Sequence, residues 1–159
     1  MEKTLTQYLS DIQCEFKERN YGKALEIIDE ALKHYPDSYE LFEKQGSSFY
    51  FMQEYDKAFS SIERVMTFLP DEIAPYFKRG RWKFELGRHV DAINDFTKVI
   101  NSLDEYFLEA AYYYRAMSYL YRQQYDKALN DCSHVNDDMF LGPELLRKEE
   151  IVFRAKNRL

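Results

Sequence analysis

The groups in this chain that could hold a metal, attack a substrate or move a proton are three histidines, two cysteines and 28 acidic side chains. His34, His89 and His134 lie far apart in the sequence, and none has a second histidine or a cysteine at helical spacing. The chain contains no paired-cysteine zinc motif, no HExxH run, no phosphate-cradling glycine loop and no nucleophile elbow. Cys132 falls at an apolar position and reads as a small buried hydrophobe. Cys14 has no base beside it in sequence and reads as an inert or mildly exposed thiol. Glu149 and Glu150 are adjacent, so on a helix they face different directions and suit a solvated surface. The expectation is a protein with no catalytic residues, no metal and no cofactor, and not an enzyme.

The elements that would position any site follow from a repeat. The tetrapeptides Tyr21-Gly22-Lys23-Ala24, Tyr55-Asp56-Lys57-Ala58, His89-Val90-Asp91-Ala92 and Tyr125-Asp126-Lys127-Ala128 place successive alanines 34, 34 and 36 residues apart. Twelve residues before each alanine stand Ile12, Gly46, Gly80 and Ala116; sixteen before stand Tyr8, Phe42, Tyr76 and Tyr112. Four after stand Ile28, Ile62, Phe96 and Cys132, and seven after stand Ala31, Val65, Val99 and Val135. Small residues on facing positions let two antiparallel helices approach closely, and the rings and branched side chains fill the space around that contact. Pro36 and Pro70 cannot continue a helix, and Asp37, Ser38 or Asp71 can cap the next one; Asp104 replaces the proline in the third unit. His89 stands where the other units carry Tyr and reads as a substituted packing residue.

A period of 34 with these residues in register resembles the tetratricopeptide repeat family over nearly the whole chain. The resemblance implies an all-α fold, a right-handed superhelical stack of antiparallel hairpins, forming a single domain over residues 1–159. The repeats are expected at about 5–38, 39–72, 73–108 and 109–138. The two extra residues of the third repeat should lie near Asn101 to Tyr106. A final helix is expected at about 143–158, with Pro143 at its first position and Glu144 following. Its apolar side would cover the end of the stack, as terminal caps do.

Composition narrows the partners. The chain is 45% hydrophobic and 31% charged with few Gly and Pro, as ordered domains are. A net charge of −6 disfavours nucleic acid, whose binding depends on Lys and Arg releasing counterions. No apolar run reaches the roughly 18 residues of a membrane span, and Met1 to Ser10 lack the pattern of a secretory signal. Two cysteines are too few for a disulfide framework, so a cytoplasmic location is expected.

The resemblance further implies that the first helix of each hairpin lines a concave groove. By register, the expected partner-binding residues are Lys44, Tyr50 and Phe51 in the second repeat, Phe77, Lys78 and Arg81 in the third, and Tyr113, Tyr114, Met117 and Tyr121 in the fourth. Rigid aromatic side chains supply contact area at low entropic cost, which would explain part of the content of 14 Tyr and 12 Phe. Lys44, Lys78 and Arg81 suggest a basic strip for an acidic segment. The two-carboxylate clamp of the family's chaperone-binding members is mostly absent, since Leu9, Gln13 and Ala74 occupy its positions and only Lys44 and Lys78 are basic. The expected function is a non-catalytic scaffold or adaptor for a peptide or protein. The alternatives are a small bacterial immunity protein or secretion-type chaperone that masks one partner, and a self-associating structural module. Monomer and homodimer both stay open.

Overall fold

The computed structural model describes residues 3–102, 104–139, 141–143 and 145–159, and every regular element among them is an α-helix. Helices α1 (Leu5–Lys17), α2 (Tyr21–His34), α3 (Tyr39–Phe51) and α4 (Tyr55–Phe68) belong to a compact unit that ends at Glu72. A second unit, from Ile73, holds α5 (Ala74–Glu85), α6 (His89–Ser102), α7 (Glu105–Tyr121), α8 (Tyr125–Cys132) and α9 (Lys148–Asn157). Within each unit, consecutive helices pack as antiparallel neighbours, and α7 also touches α5 and α9. None of these helices is long and apolar enough to cross a membrane.

The small-residue register explains the hairpins. A Cβ added at Gly46 would lie 3.2 Å from both the Ala58 carbonyl oxygen and the Ser61 Cβ; one at Gly80 would lie 2.9 Å from a ring carbon of Phe96. Backbones this close leave no room for a side chain. Ala24, Ala58, Ala92 and Ala128 are all fully buried. Ile12, which breaks the small-residue pattern in the first hairpin, is also fully buried, so that hairpin accepts a larger side chain at its contact.

Each hairpin also turns in the same way. Arg19, Gln53, Gly87 and Gln123, spaced 34, 34 and 36 apart, all have left-handed backbone, with φ of 57°, 63°, 71° and 57°. The same two bonds close each turn: Asn20 N–H donates to the Glu15 carbonyl and Arg19 N–H to Phe16, and the pattern recurs at Glu54–Phe49 with Gln53–Tyr50. It recurs again at Arg88–Lys83 with Gly87–Phe84, and at Gln124–Tyr119 with Gln123–Leu120. This is a Schellman closure, which satisfies carbonyls that the helix end would otherwise leave bare. Three of the four positions carry a side chain where an L-residue is strained by roughly 1–2 kcal/mol. Gln53→Gly is therefore expected to stabilise the protein by about 0.5–1 kcal/mol after the unfolded-state entropy of glycine is subtracted. Gly87→Ala, in open space, should cost about 1 kcal/mol. Urea denaturation midpoints at constant slope check both signs; shifts in the same direction would show that the turns do not carry this strain.

Helix starts match the capping expectation in part. Ser38 accepts the Leu41 N–H (3.3 Å), and Thr4 and Gln7 form a reciprocal capping box. Asp104 accepts the Tyr106 and Phe107 N–H groups at 3.0 and 3.4 Å, where a proline stood in earlier repeats. Asp71 caps nothing: α5 follows Ile73, two residues on, with Pro75 in its first turn.

Two boundaries differ from the expected ones. The extra residues of the third period lengthen the start of α7, which spans 17 residues against 12 or 13 for α1, α3 and α5. The boundary expected between 108 and 109 thus falls inside α7. The last helix starts at Lys148 and not at Pro143; Glu144 lies outside the described residues. Arg147 is extended (φ −70°, ψ 157°), the Tyr113 hydroxyl donates to the Leu146 carbonyl, and Lys148 Nζ donates to the Val135 carbonyl. These bonds tie Leu146 to α7 and Lys148 to the Val135 carbonyl. From there α9 packs on α8 and α7 and buries Ile151 and Ala155 in the core of the second unit.

Candidate interaction surfaces

Most of the aromatic excess is spent inside the repeat. The ring sixteen residues before each alanine meets the side chain twenty-two residues beyond it, and the partner differs every time. The Tyr8 hydroxyl donates to Glu30 (3.2 Å), the Arg64 guanidinium lies 4.5 Å from the Phe42 ring, and Lys98 lies 5.8 Å from Tyr76. The Tyr112 ring stacks on His134 at 4.3 Å. A second relation links the lysine of the tetrapeptide with the residue eight before it. Lys23 pairs with Glu15 (2.8 Å), and Lys57 and Lys127 lie over the Phe49 and Tyr119 rings at 5.2 and 5.4 Å. In the third hairpin Lys83 holds the ring position and turns to Asp95 instead, at 2.7 Å.

A third relation was not visible from sequence. Residues sixteen apart bridge the two helices of a hairpin: Ser61 donates to Gln45 (3.0 Å), Arg79 forms a two-pronged pair with Asp95 (3.0 and 2.6 Å), and Arg115 forms one with Asp131 (2.7 and 2.8 Å). Arg115 also donates to Thr97 Oγ1 on α6 (2.9 Å). Asp95 and Asp131 are only 4% and 1% exposed. A hollow of about 260 Å³ beside Arg115, Tyr119, Asp126 and Lys127 is the mouth of this last pair.

The residues expected in a groove divide into two sets. In the first unit Phe51 is 54% exposed, Tyr50 and Lys44 are half-buried, and Lys44 donates to Gln13 Oε1 (3.1 Å) with its ammonium 5.6 Å from the Phe16 ring. In the second unit Arg81 is exposed, with a weak pair to Glu85 (3.3 Å), Lys78 is half-buried near Trp82, and Tyr121 is 51% exposed. Tyr113, Tyr114 and Met117 are buried, which corrects the expectation of exposure for all three. Tyr113 is covered by the Leu146 carbonyl that it bonds, and Leu145, Leu146 and Ile151 pack into the same cluster as Met117. Tyr114 lies flat against Phe96 (5.4 Å, 11°) with Phe84 at its edge. Phe77 is half-buried among Phe96, Phe107 and Tyr114 and is a packing residue. Register alone fixed the helix face but not what the longer α7 and the segment before α9 would lay over it.

Phe51 and Tyr121 occupy equivalent positions, and their surroundings match. Phe51 stacks on Tyr21 (4.7 Å, 17°), and Tyr121 stacks on His89 (4.8 Å, 13°). Each ring lies on the first residue of the second helix in the preceding hairpin. This gives the substitution at His89 its meaning: an imidazole serves as the flat platform that tyrosine provides elsewhere. Burial holds its pKa below the usual histidine value, with the Arg122 charge adding to the effect, and its Nδ1 is buried without a hydrogen-bond partner. Neutral imidazole stacks without the cost of burying a charge.

The cysteines match their sequence reading in placement. Cys132 is buried and its thiol is pushed up to about 11 by desolvation, which keeps it protonated at neutral pH. Cys14 is exposed. Among the described residues, no group of three or more His, Cys, Asp or Glu side chains is gathered closely enough to hold a metal ion. No protein-family model matches this chain, and no curated protein matches it either.

Proposed function

We propose that this chain is a scaffold of the tetratricopeptide-like α-solenoid kind, which holds a protein or peptide partner and carries out no reaction of its own. The observation that carries this reading is the pair of half-exposed rings at one repeat position, Phe51 and Tyr121, each stacked on a ring beneath it. A stacked ring has already lost its side-chain freedom, so a partner that covers it gains apolar contact at little further entropic cost. Tyr50 meets the first ring edge-on and Lys44 lies on the same helix, while Arg81 and Lys78 lie on the helix packed against that of the second, so each ring has polar groups nearby in its own unit. That arrangement is common to the energetically dominant part of protein interfaces.

The double variant Phe51→Ala, Tyr121→Ala is expected to retain at least about tenfold less partner in quantitative affinity purification with mass spectrometry. Its folding stability should fall by no more than about 1–3 kcal/mol, the worth of two lost ring stacks. Retention equal to wild type would refute the scaffold reading at these positions. A stability loss large enough to unfold the chain would instead make both rings core residues.

A further inference from the structure

We infer that the ledge formed by Phe16, Tyr21, Tyr50 and Phe51 in the first unit takes a peptide segment that combines carboxylates with apolar side chains; this rests on the scaffold reading above. The four rings are contiguous. Phe16 meets Tyr21 and Phe51 edge-on at 5.4 and 6.4 Å, Tyr21 and Phe51 stack at 4.7 Å, and Tyr50 meets Phe51 edge-on at 6.0 Å. Met52, 41% exposed, extends the apolar surface beyond Phe51.

Charge then selects the occupant. In this unit Lys3, Lys23 and Lys57 each meet a carboxylate, from Asp11, Glu15 and Glu54 at 3.0, 2.8 and 2.5 Å. Lys44, whose ammonium lies against Phe16 at the ledge, does not: among the described residues it has only the neutral Gln13 amide oxygen and the face of Phe16. Glu15, beside Phe16 in sequence, is held by Lys23 and Asn20. A chain of net charge −6 therefore presents the Lys44 ammonium, without an ion-pair partner among the described residues, on a ledge whose Phe51 ring is exposed. Lys44 is also positioned by its contact with Phe16, so an incoming carboxylate meets a donor already in place. A basic segment would be repelled there, and a long polyanion would meet the acidic remainder of the surface.

Selection from a random-peptide display library on the immobilised full chain tests this. The expected result is enrichment of sequences that combine Asp or Glu with Phe, Leu or Ile. Their retention should fall at least about tenfold on Lys44→Glu and on Phe51→Ala, and stay unchanged on Phe153→Ala, a control ring exposed on α9. Circular dichroism of each variant confirms that it is folded. Enrichment of basic or uncharged sequences overturns the inference and leaves the scaffold reading standing. So does acidic enrichment that survives both ledge substitutions. A labelled oligothymidylate that binds in a Phe51-dependent way while no peptide is enriched would replace the peptide with single-stranded nucleic acid. No enrichment and no oligonucleotide binding would count against both readings.

Discussion

Ala92→Glu unfolds the second unit. Ala92 has no exposed surface and stands at the repeat position of Ala58, whose carbonyl meets Gly46; four residues on from Ala92, Phe96 already lies where a Cβ at Gly80 would collide. A glutamate there adds several heavy atoms to a place with no void, which alone costs about 1–3 kcal/mol. It also brings a second carboxylate one turn from Asp95, which already takes the Arg79 guanidinium and Lys83, while Arg88 is paired with Asp91. Burying an unpaired ion costs several kcal/mol more, or forces the group to protonate at similar expense. The sum reaches the roughly 5–15 kcal/mol by which domains are stable at all. Ala92→Gly separates charge and bulk from mere substitution, and should cost only about 1 kcal/mol, the difference in helix propensity. Far-ultraviolet circular dichroism with urea titration measures both. A glutamate variant that melts like wild type would mean that the alanine register does not mark the helix contact.

The repeat was legible because most of its contact positions are held to small residue types. Gly46, Gly80 and the four alanines must be small, so they recur as themselves and reveal the period. The polar and aromatic partnerships were illegible for the opposite reason. At the position of Glu30 the later repeats hold Arg64, Lys98 and His134, and all four meet the same ring by different chemistry. A relation preserved while its members change leaves no recurring letter to find. The candidate surface was legible in half. Phe51 and Tyr121 are exposed, whereas Tyr113 and Met117 are buried in the cluster that Leu145, Leu146 and Ile151 join, and Tyr114 is buried against Phe96 and Phe84. Periodicity carries no information about the bond from the Tyr113 hydroxyl to the Leu146 carbonyl, because Leu146 lies beyond the last repeat.

The second large effect follows from the bridges between residues sixteen apart. Asp131→Ala removes one member of a buried pair and leaves the Arg115 guanidinium, 13% exposed, with Thr97 and the Tyr112 and Tyr119 rings but no carboxylate partner. Breaking a buried pair from one side costs about 3–5 kcal/mol, most of it the desolvation of the ion left behind. The same place in the first unit is filled by the neutral pair Gln45 and Ser61, joined by one hydrogen bond of 3.0 Å. The protein thus already contains an uncharged solution to the geometry. Arg115→Gln combined with Asp131→Ser copies it into the second unit, and the double variant should be more stable than Asp131→Ala alone, although it changes more atoms. The coupling between the two positions should appear in a double-mutant cycle as about 2–3 kcal/mol, above the spread expected of independent sites. Additive losses would show that the guanidinium finds solvent once its partner is gone, and that the bridge positions α7 against α8 without contributing to their stability.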